Sequence, residues 1–252
     1  MEKRDYSQLI VHALLGIIND YENRELHDLA IDILMKREIL RNASLEKSAM
    51  ILNVSESSLN RFCKKLGFKN FSTFRMYLDS YDTDDDNDFY QKAMSSNDYG
   101  KRLQEALMSL DEKGDELFKK TASYLYRCKK PCIFTYSGYK NQLRFFQESM
   151  AMYNKIVRFE VPIIEVNEQN LVESDLLIVL SLHANMYLEH QELIDRLKVP
   201  KILITQSDSY EFDDKFNLVL RISDTDIKGL DKYLIERVFE KIMINYVQLV
   251  KN

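Results

Sequence analysis

The side chains best suited to chemistry are short polar and cationic groups gathered in one stretch, residues 44–67. Ser44 and Ser55 can each cap a helix, because a serine hydroxyl accepts the free N–H groups of a first turn. Asn53, between them, can adopt the left-handed conformation that a tight turn between helices requires. The second helix would then present these residues outward: Ser57, Ser58, Asn60, Arg61, Lys64 and Lys65. Short polar groups approach base edges and cations reach phosphates, so the pattern predicts a DNA contact.

The apolar residues of the same stretch predict how the two helices are held together. Leu45, Ala49 and Leu52 share one face of the first helix, and Val54 can fill the turn. The second helix would bury Leu59, Phe62 and Leu66 and end at Gly67. Residues 55–78 carry Arg61, Lys64, Lys65, Lys69 and Arg75 against Glu56 alone. We count Ser44, Ser55 and Lys69 among the DNA-binding candidates; a helical hairpin with a basic solvent face and no DNA is the alternative.

Residue types that perform catalysis or hold metals are present without the spacing that either chemistry needs. No histidine is paired with a serine or cysteine nucleophile in a recognisable pattern: His12, His27, His183, His190. The cysteines stand at no metal-ligand spacing, and their odd number favours reduced thiols: Cys63, Cys128, Cys132. We therefore expect a protein that is not an enzyme and that uses no metal and no cofactor.

The segment from Asn53 to Phe71 resembles the start of RpiR/MurR-type bacterial transcription regulators, whose hallmark is Val-Ser…Arg-Phe-x-Lys-Lys-Leu-Gly-Phe-x-x-Phe. One departure is Ser48, where the family carries an apolar residue. The resemblance is close over residues 25–80 and holds in outline beyond residue 115, where the family has a SIS domain, an α/β sensor of phosphosugars. It implies a homodimer or homotetramer that binds a double-stranded DNA operator of carbohydrate metabolism genes, with a sugar phosphate altering DNA affinity.

The resemblance also implies a ligand site, at which this chain departs from the family's pattern. SIS domains carry a Gly-x-Gly-x-Ser-like turn after the first strand, where this chain has Thr135, Ser137 and Tyr139. After the third strand the family has Ser-x-Ser-Gly-x-Thr. This chain reads Ser181-Leu-His-Ala-Asn-Met186 there and keeps only the first serine.

Two interpretations of these loops stay open. In the first, an altered site for a small anion uses Ser137, Tyr139, Lys140, Ser181, His183 and Asn185, with the lysine and a protonated His183 replacing lost hydroxyls. In the second, the site has decayed and the domain only oligomerises. Taken alone, His183 is more often an ordinary loop histidine than a ligand contact.

The elements that position these groups follow from hydrophobic periodicity. Everything before Asp82 is helical in pattern, and short apolar runs alternate with helices after Pro131, which predicts a doubly wound parallel sheet. The predicted strands are 131–136, 156–161, 175–181, 201–205 and 218–222, and the predicted helices among them are 142–153, 187–197 and 232–250. Five aspartates in the seven residues from Asp82 to Asp88 predict an exposed linker, or a solvated helix edge.

The sequence thus predicts an all-α helix-turn-helix domain at 1–81, an acidic linker at 82–98 and an α/β SIS-like domain at 99–252. The net charge of −5 opposes nonspecific adhesion to nucleic acid, whereas the basic cluster provides one place for a polyanion. No apolar run reaches bilayer length and no signal peptide is visible, so we expect a cytoplasmic protein without a membrane partner. The competing functions are a sugar-phosphate isomerase, which would need a base beside an intact phosphate loop, and a scaffold that dimerises through residues 142–153 or the last helix.

Overall fold

The computed structural model describes residues 7–19, 23–79, 99–112, 114–161, 168–222 and 229–251. The chain divides into two compact units between Asn87 and Asp88, with residues 163–165 assigned to the first unit. The predicted acidic linker at 82–98 lies outside the described residues, so the three domain boundaries stay a prediction. None of the described helices is long and apolar enough to cross a bilayer.

The first unit is helical throughout its described residues, as the periodicity predicted. Its helices are α1 (Ser7–Ile18), α2 (Arg24–Met35), α3 (Arg37–Leu40), α4 (Leu45–Ile51), α5 (Glu56–Lys65) and α6 (Phe71–Asp79). Asn23 caps α2, because its Oδ1 accepts the backbone N–H of Leu26 at 3.1 Å. Leu14 and Ile33 are fully buried in the core that also holds the apolar residues of α4, α5 and α6. That core is what holds α4 and α5 in place.

The second unit alternates strands and helices. It contains α7 (Tyr99–Glu112), α8 (Glu116–Arg127), β1 (Pro131–Thr135), α9 (Ser137–Lys140), α10 (Arg144–Met152), β2 (Arg158–Glu160), α11 (Glu168–Val172), β3 (Leu176–Leu180), α12 (Asn185–Glu189), α13 (Gln191–Arg196), β4 (Lys201–Thr205), β5 (Leu218–Arg221) and α14 (Leu230–Lys251). The five strands are parallel in the order β2-β1-β3-β4-β5. This is the flavodoxin-like doubly wound order, so the predicted fold class is confirmed.

Alternate side chains of each strand enter separate cores on the two faces of the sheet, as strand geometry requires. On one face, Ile133 and Ile178 pack with α7, α8, α10 and α14. On the other face, Phe134 and Val179 pack with the short helices α11, α12 and α13. Both faces are covered, which explains why the strand sequences read as continuous apolar runs rather than as alternating ones.

A charged clamp joins the end of α7 to the long helix α14. The Asp111 carboxylate accepts two hydrogen bonds from Arg237, at 3.1 and 3.0 Å, and lies 3.3 Å from the ammonium of Lys241. The Arg237 hydrogen bond is the main reason that the pKa of Asp111 is lowered from its ordinary value. Lys241 is almost fully buried and also faces the ring of Phe118, 4.9 Å from its centroid. Because the carboxylate is charged at neutral pH, the clamp is present there.

The predicted helix at 187–197 was wrong in one respect, since the structure breaks it at His190. The backbone of His190 leaves the helical region, with φ −121°, and separates α12 from α13. Its ring packs edge-on against Phe134 at a centroid distance of 5.2 Å. Periodicity does not reveal such a break, because both short helices keep their apolar residues on the face toward the sheet.

Candidate nucleic-acid interface and candidate ligand site

Helices α4 and α5 begin at the two serines that the sequence singled out as caps. Ser44 Oγ accepts the backbone N–H of Lys47 at 3.2 Å, and Ser55 Oγ accepts that of Ser58 at 3.1 Å. Both caps have extended backbone angles, as an N-cap residue should. The predicted caps are confirmed, and the hydroxyls of Ser44 and Ser55 are already committed to the protein backbone.

The turn between these helices has the predicted left-handed residue. Asn53 has φ +52°, and the N–H of the following Val54 donates to the carbonyl of Ala49 at 2.9 Å. Val54 is half-buried against the core of the first unit. The turn therefore sets the angle between α4 and α5 through one exposed asparagine and one apolar plug.

We expect Asn53→Ala to destabilise the first unit by about 1 kcal/mol, because a positive φ strains alanine more than it strains asparagine. The matched change Asn53→Gly should alter the free energy of unfolding by less than about 0.5 kcal/mol, since glycine adopts this conformation without strain. Native-state hydrogen exchange at the amides of α4 and α5 measures both in the full chain. Equal protection in the two variants would show that the turn is not held in this conformation.

The buried face of α5 is the one that the sequence predicted. Leu59, Phe62 and Leu66 are all buried, and Gly67 ends the helix with φ +90°. The helix ends there because a residue with a side chain is strained at that angle. The face opposite these residues is consequently turned to solvent.

Ser48 shows what its departure from the family pattern costs. Its side chain is fully buried, and its hydroxyl has no hydrogen-bond partner. We expect Ser48→Ala to stabilise the first unit by about 1 kcal/mol, because a buried hydroxyl without a partner keeps its desolvation penalty. Ser72→Ala on the exposed surface of α6 is the control for helix propensity alone. Hydrogen exchange at α4 would contradict the expectation if Ser48→Ala gained no more than Ser72→Ala.

The outward face of α5 carries most of the predicted DNA-binding residues. Ser57, Arg61, Lys64 and Lys65 are exposed, as is Lys69 beyond the helix. The hydroxyls at the start of the helix are linked to one another, since Ser55 Oγ lies 3.0 Å from that of Ser57 and 2.9 Å from that of Ser58. Ser58 is half-buried and also accepts a 3.4 Å hydrogen bond from Arg61. Three hydroxyls and the cations thus form one contiguous polar surface.

Two residues of the basic cluster are oriented differently from the expectation. Asn60 does not point freely outward: its Oδ1 accepts the backbone N–H of Phe71 at 3.0 Å and so caps α6. Arg75 is half-buried and donates to the carbonyl of Ala43 at 2.8 Å. In both cases a free backbone group at a neighbouring chain segment recruits the side chain, which the local pattern could not reveal.

An acidic wall of α2 that sequence reasoning missed borders the cationic face. Glu25, Asp28 and Asp32 line a groove of about 750 Å³ together with Arg61 and Lys65. Asp32 is paired with a lysine of its own helix at 2.8 Å. Within residues 23–79, neither Arg61 nor Lys65 forms an ion pair with this wall. The two cations therefore keep their charge available for a polyanion.

The two candidate ligand loops begin side by side. Thr135 and Leu180, the last residues of the paired strands β1 and β3, are in register, so the loops that follow leave the same edge of the sheet. In the second loop, buried Ser181 accepts the backbone N–H of Met186 at 3.0 Å. Ala184, at the family's glycine position, has φ +60°. The loop thus keeps a glycine-like conformation without the glycine.

The exposed polar groups of these loops are fewer than predicted. His183, Asn185 and Lys140 are exposed, whereas the Ser137 side chain lies outside the described residues. Tyr139 differs from the expectation, because its hydroxyl donates to Asp231 at the start of α14, at 3.1 Å. Burial and the neighbouring carboxylate raise the pKa of Tyr139 above its ordinary value. The tyrosine therefore anchors α9 to α14.

Arg221, at the end of β5, is a residue that the sequence analysis missed. Its guanidinium makes paired hydrogen bonds to the Asp213 carboxylate, at 3.0 and 2.6 Å, and donates to the carbonyls of Ser207 and Ser209. These contacts hold the loop after β4, whose first N–H donates to Leu182 in the second candidate ligand loop at 2.7 Å. A single arginine inside an apolar strand was the available signal.

Metal and thiol chemistry find no support in the described residues. No group of three or more histidine, cysteine or acidic side chains is placed to hold a metal ion there. The three cysteines are free and buried, and burial raises the pKa of each thiol to about 12. They are therefore protonated at neutral pH and poor nucleophiles.

Comparison with known proteins places the helical segment in a family. Residues 27–85 match the helix-turn-helix domain of the rpiR family. No curated protein sequence matches the chain. Among solved structures, the Vibrio vulnificus NanR protein complexed with ManNAc-6P is 13% identical, with 96% of this chain and 92% of that chain covered and a TM-score of 0.47.

Two further solved structures are similar to the chain. An Escherichia coli CFT073 protein, solved as a complex with a ligand, is 12% identical, with 68% of this chain and 94% of that chain covered and a TM-score of 0.49. A sugar-phosphate isomerase-like protein, described as putative, from Listeria monocytogenes is 12% identical, with coverages of 55% and 78% and a TM-score of 0.48. At these identities and scores, the fold assignment rests on the strand order itself.

Proposed function

We propose, from the premise that residues 27–85 are a helix-turn-helix domain of the rpiR family, that the chain is a DNA-binding transcription regulator of sugar metabolism. The observation that carries the proposal is the outward face of α5, a capped helix with exposed Ser57, Arg61, Lys64 and Lys65. A helix of this kind enters the major groove with its first residues at base edges and its cations at phosphates. Such a regulator acts in the cytoplasm as a homodimer or homotetramer, because two recognition helices read two half-sites.

Selection of bound duplexes from a random DNA pool by the full chain tests this proposal. We expect an enriched site with two related half-sites about one or two helical turns apart. The logarithm of the affinity for that site should fall linearly with the logarithm of salt concentration, since phosphate contacts release counterions. Failure to enrich any sequence, together with no retention of DNA at low salt, would reject the proposal.

For the second unit we propose a small anionic effector, of the sugar-phosphate class, at the edge where β1 and β3 end. Open α/β sheets bind ligands at such an edge, where the strand order reverses. Lys140 and a protonated His183 are the cations in reach, and Ser181 orders the loop. The rigid support of this edge by Arg221 also fits a preformed site.

Calorimetric titration with a panel of pentose and hexose phosphates, with inorganic phosphate as the control, tests the effector proposal. We expect one class of sugar phosphate to bind to wild type, and His183→Ala to weaken it without changing inorganic phosphate. No heat with any member would favour a decayed site. Conversion of a bound sugar phosphate into its isomer would instead establish the isomerase and overturn the assignment of a purely regulatory role.

A further inference from the structure

The second unit has an open apolar groove between α10 and α14. The groove has a volume of about 900 Å³, and a residue of α7 closes one end. Several of its apolar side chains are strongly exposed: Phe145 is 75% exposed, Met152 83%, Tyr233 49% and Ile244 48%. Aromatic residues and methionine are the types enriched in protein–protein interfaces. The groove is therefore unlike the remainder of an ordinary soluble surface.

Helix α14 is apolar on two faces. One face, which includes Leu234, Val238 and Ile242, is buried in the core of the second unit. A second stripe lines the groove at intervals of seven, four, three and four residues: Tyr233, Glu240, Ile244, Val247 and Lys251. This is the spacing at which one helix packs against another. A helix with apolar residues on both faces is expected to be covered on both in the working assembly.

The charges around the groove suit a second copy of the same chain. Each wall carries both signs, since Arg144 lies 2.9 Å from Glu148 on α10 and Arg237 lies 2.7 Å from Glu240 on α14. A two-fold related copy can therefore place opposite charges against each other along both walls. The groove is lined by 18 described residues. That is close to one side of a stable interface, which uses about 20–30 residues on each side.

We propose that this groove is the face through which two copies of the chain associate, with Phe145 of each copy packed into the groove of the other. The inference rests on the proposed function, because a helix-turn-helix protein that reads two half-sites must present two copies with matching symmetry. It adds the surface that pairs them. The first candidate ligand loop precedes α10 directly, so the interface and that loop share one chain segment.

Two groove variants of the full chain, Phe145→Glu and Ile244→Glu, test the interface. Both replace exposed side chains, so the fold should be retained, and circular dichroism checks this. The matched control is Val172→Glu, because Val172 is 64% exposed but lies on α11, on the opposite face of the sheet. Sedimentation velocity over a concentration series should show a wild-type dimer whose dissociation constant rises by about 30-fold or more in each groove variant. The control should match wild type.

The outcomes separate this inference from the proposed function. A wild type that stays monomeric at every concentration, or groove variants that dimerise like wild type, would overturn the interface even if the chain binds DNA. A chain that dimerises through the groove but binds no DNA would leave the interface standing and remove the proposed function. If both hold, the groove variants should bind a DNA with one half-site as wild type does, and lose only the added affinity of a second half-site.

Discussion

Replacing Arg61 and Lys65 together by alanine is expected to lower the DNA affinity of the full chain by about tenfold or more at low salt. Both cations are exposed on the outward face of α5 and form no ion pair within residues 23–79. Each phosphate contact that is lost removes released counterions, so the slope of log affinity against log salt should decrease by about one per contact. Fluorescence anisotropy with a labelled duplex at several salt concentrations measures both effects.

The control for this double variant must change the net charge equally at a different place. Lys119 and Lys120 are adjacent exposed lysines on α8, in the second unit, and their double alanine variant serves this purpose. We expect this control to keep the wild-type salt slope. If both double variants lowered the affinity alike, the effect would be one of overall charge, and α5 would lose its assigned role.

Removing the aromatic side chain beneath the recognition surface should have the largest effect on stability. Phe62 is 1% exposed and lies in the core of the first unit between the other buried residues of α5. We expect Phe62→Ala to cost about 3–5 kcal/mol, because the change loses buried apolar surface and leaves a cavity. A loss of that size is comparable to the whole stability of a small domain, so specific DNA binding should disappear as well.

Hydrogen exchange resolved by segment distinguishes this from a general collapse. Protection should be lost at α4, α5 and α6 and kept in the strands of the second unit, which has its own two cores. Met76→Ala is the control, since Met76 is on α6 but 69% exposed, and it should change stability by less than about 0.5 kcal/mol. Equal protection of α5 in both variants would contradict the assigned packing.

Much of the fold could be predicted from the sequence because the relevant interactions are local. Caps and turns act over three or four residues, so Ser55, Asn53 and Gly67 marked the limits of α4 and α5 correctly. Strand identity was equally accessible, because a strand covered by helices on both faces must be apolar at almost every position. The break at His190 was not accessible, because both halves of the segment satisfy the same periodicity.

The candidate sites depended more on contacts between distant residues. Tyr139 had the right position for a ligand contact, yet its hydroxyl bonds to Asp231, 92 residues away. Asn60 had the right position for DNA, yet it caps α6. Polar side chains are satisfied by whichever free donor or acceptor the fold brings near, and sequence spacing does not identify that partner.

By itself, the sequence determined the order of elements, the faces that are buried and the location of the recognition helix, since each follows from the types of residues a few positions apart. Only the tertiary structure decided which polar groups remain available, where the acidic wall of α2 lies relative to Arg61, and that α14 has a second uncovered apolar face. The physical reason is that periodicity shows that a side chain is turned toward other protein, whereas the identity of its neighbour is set by how separate elements pack.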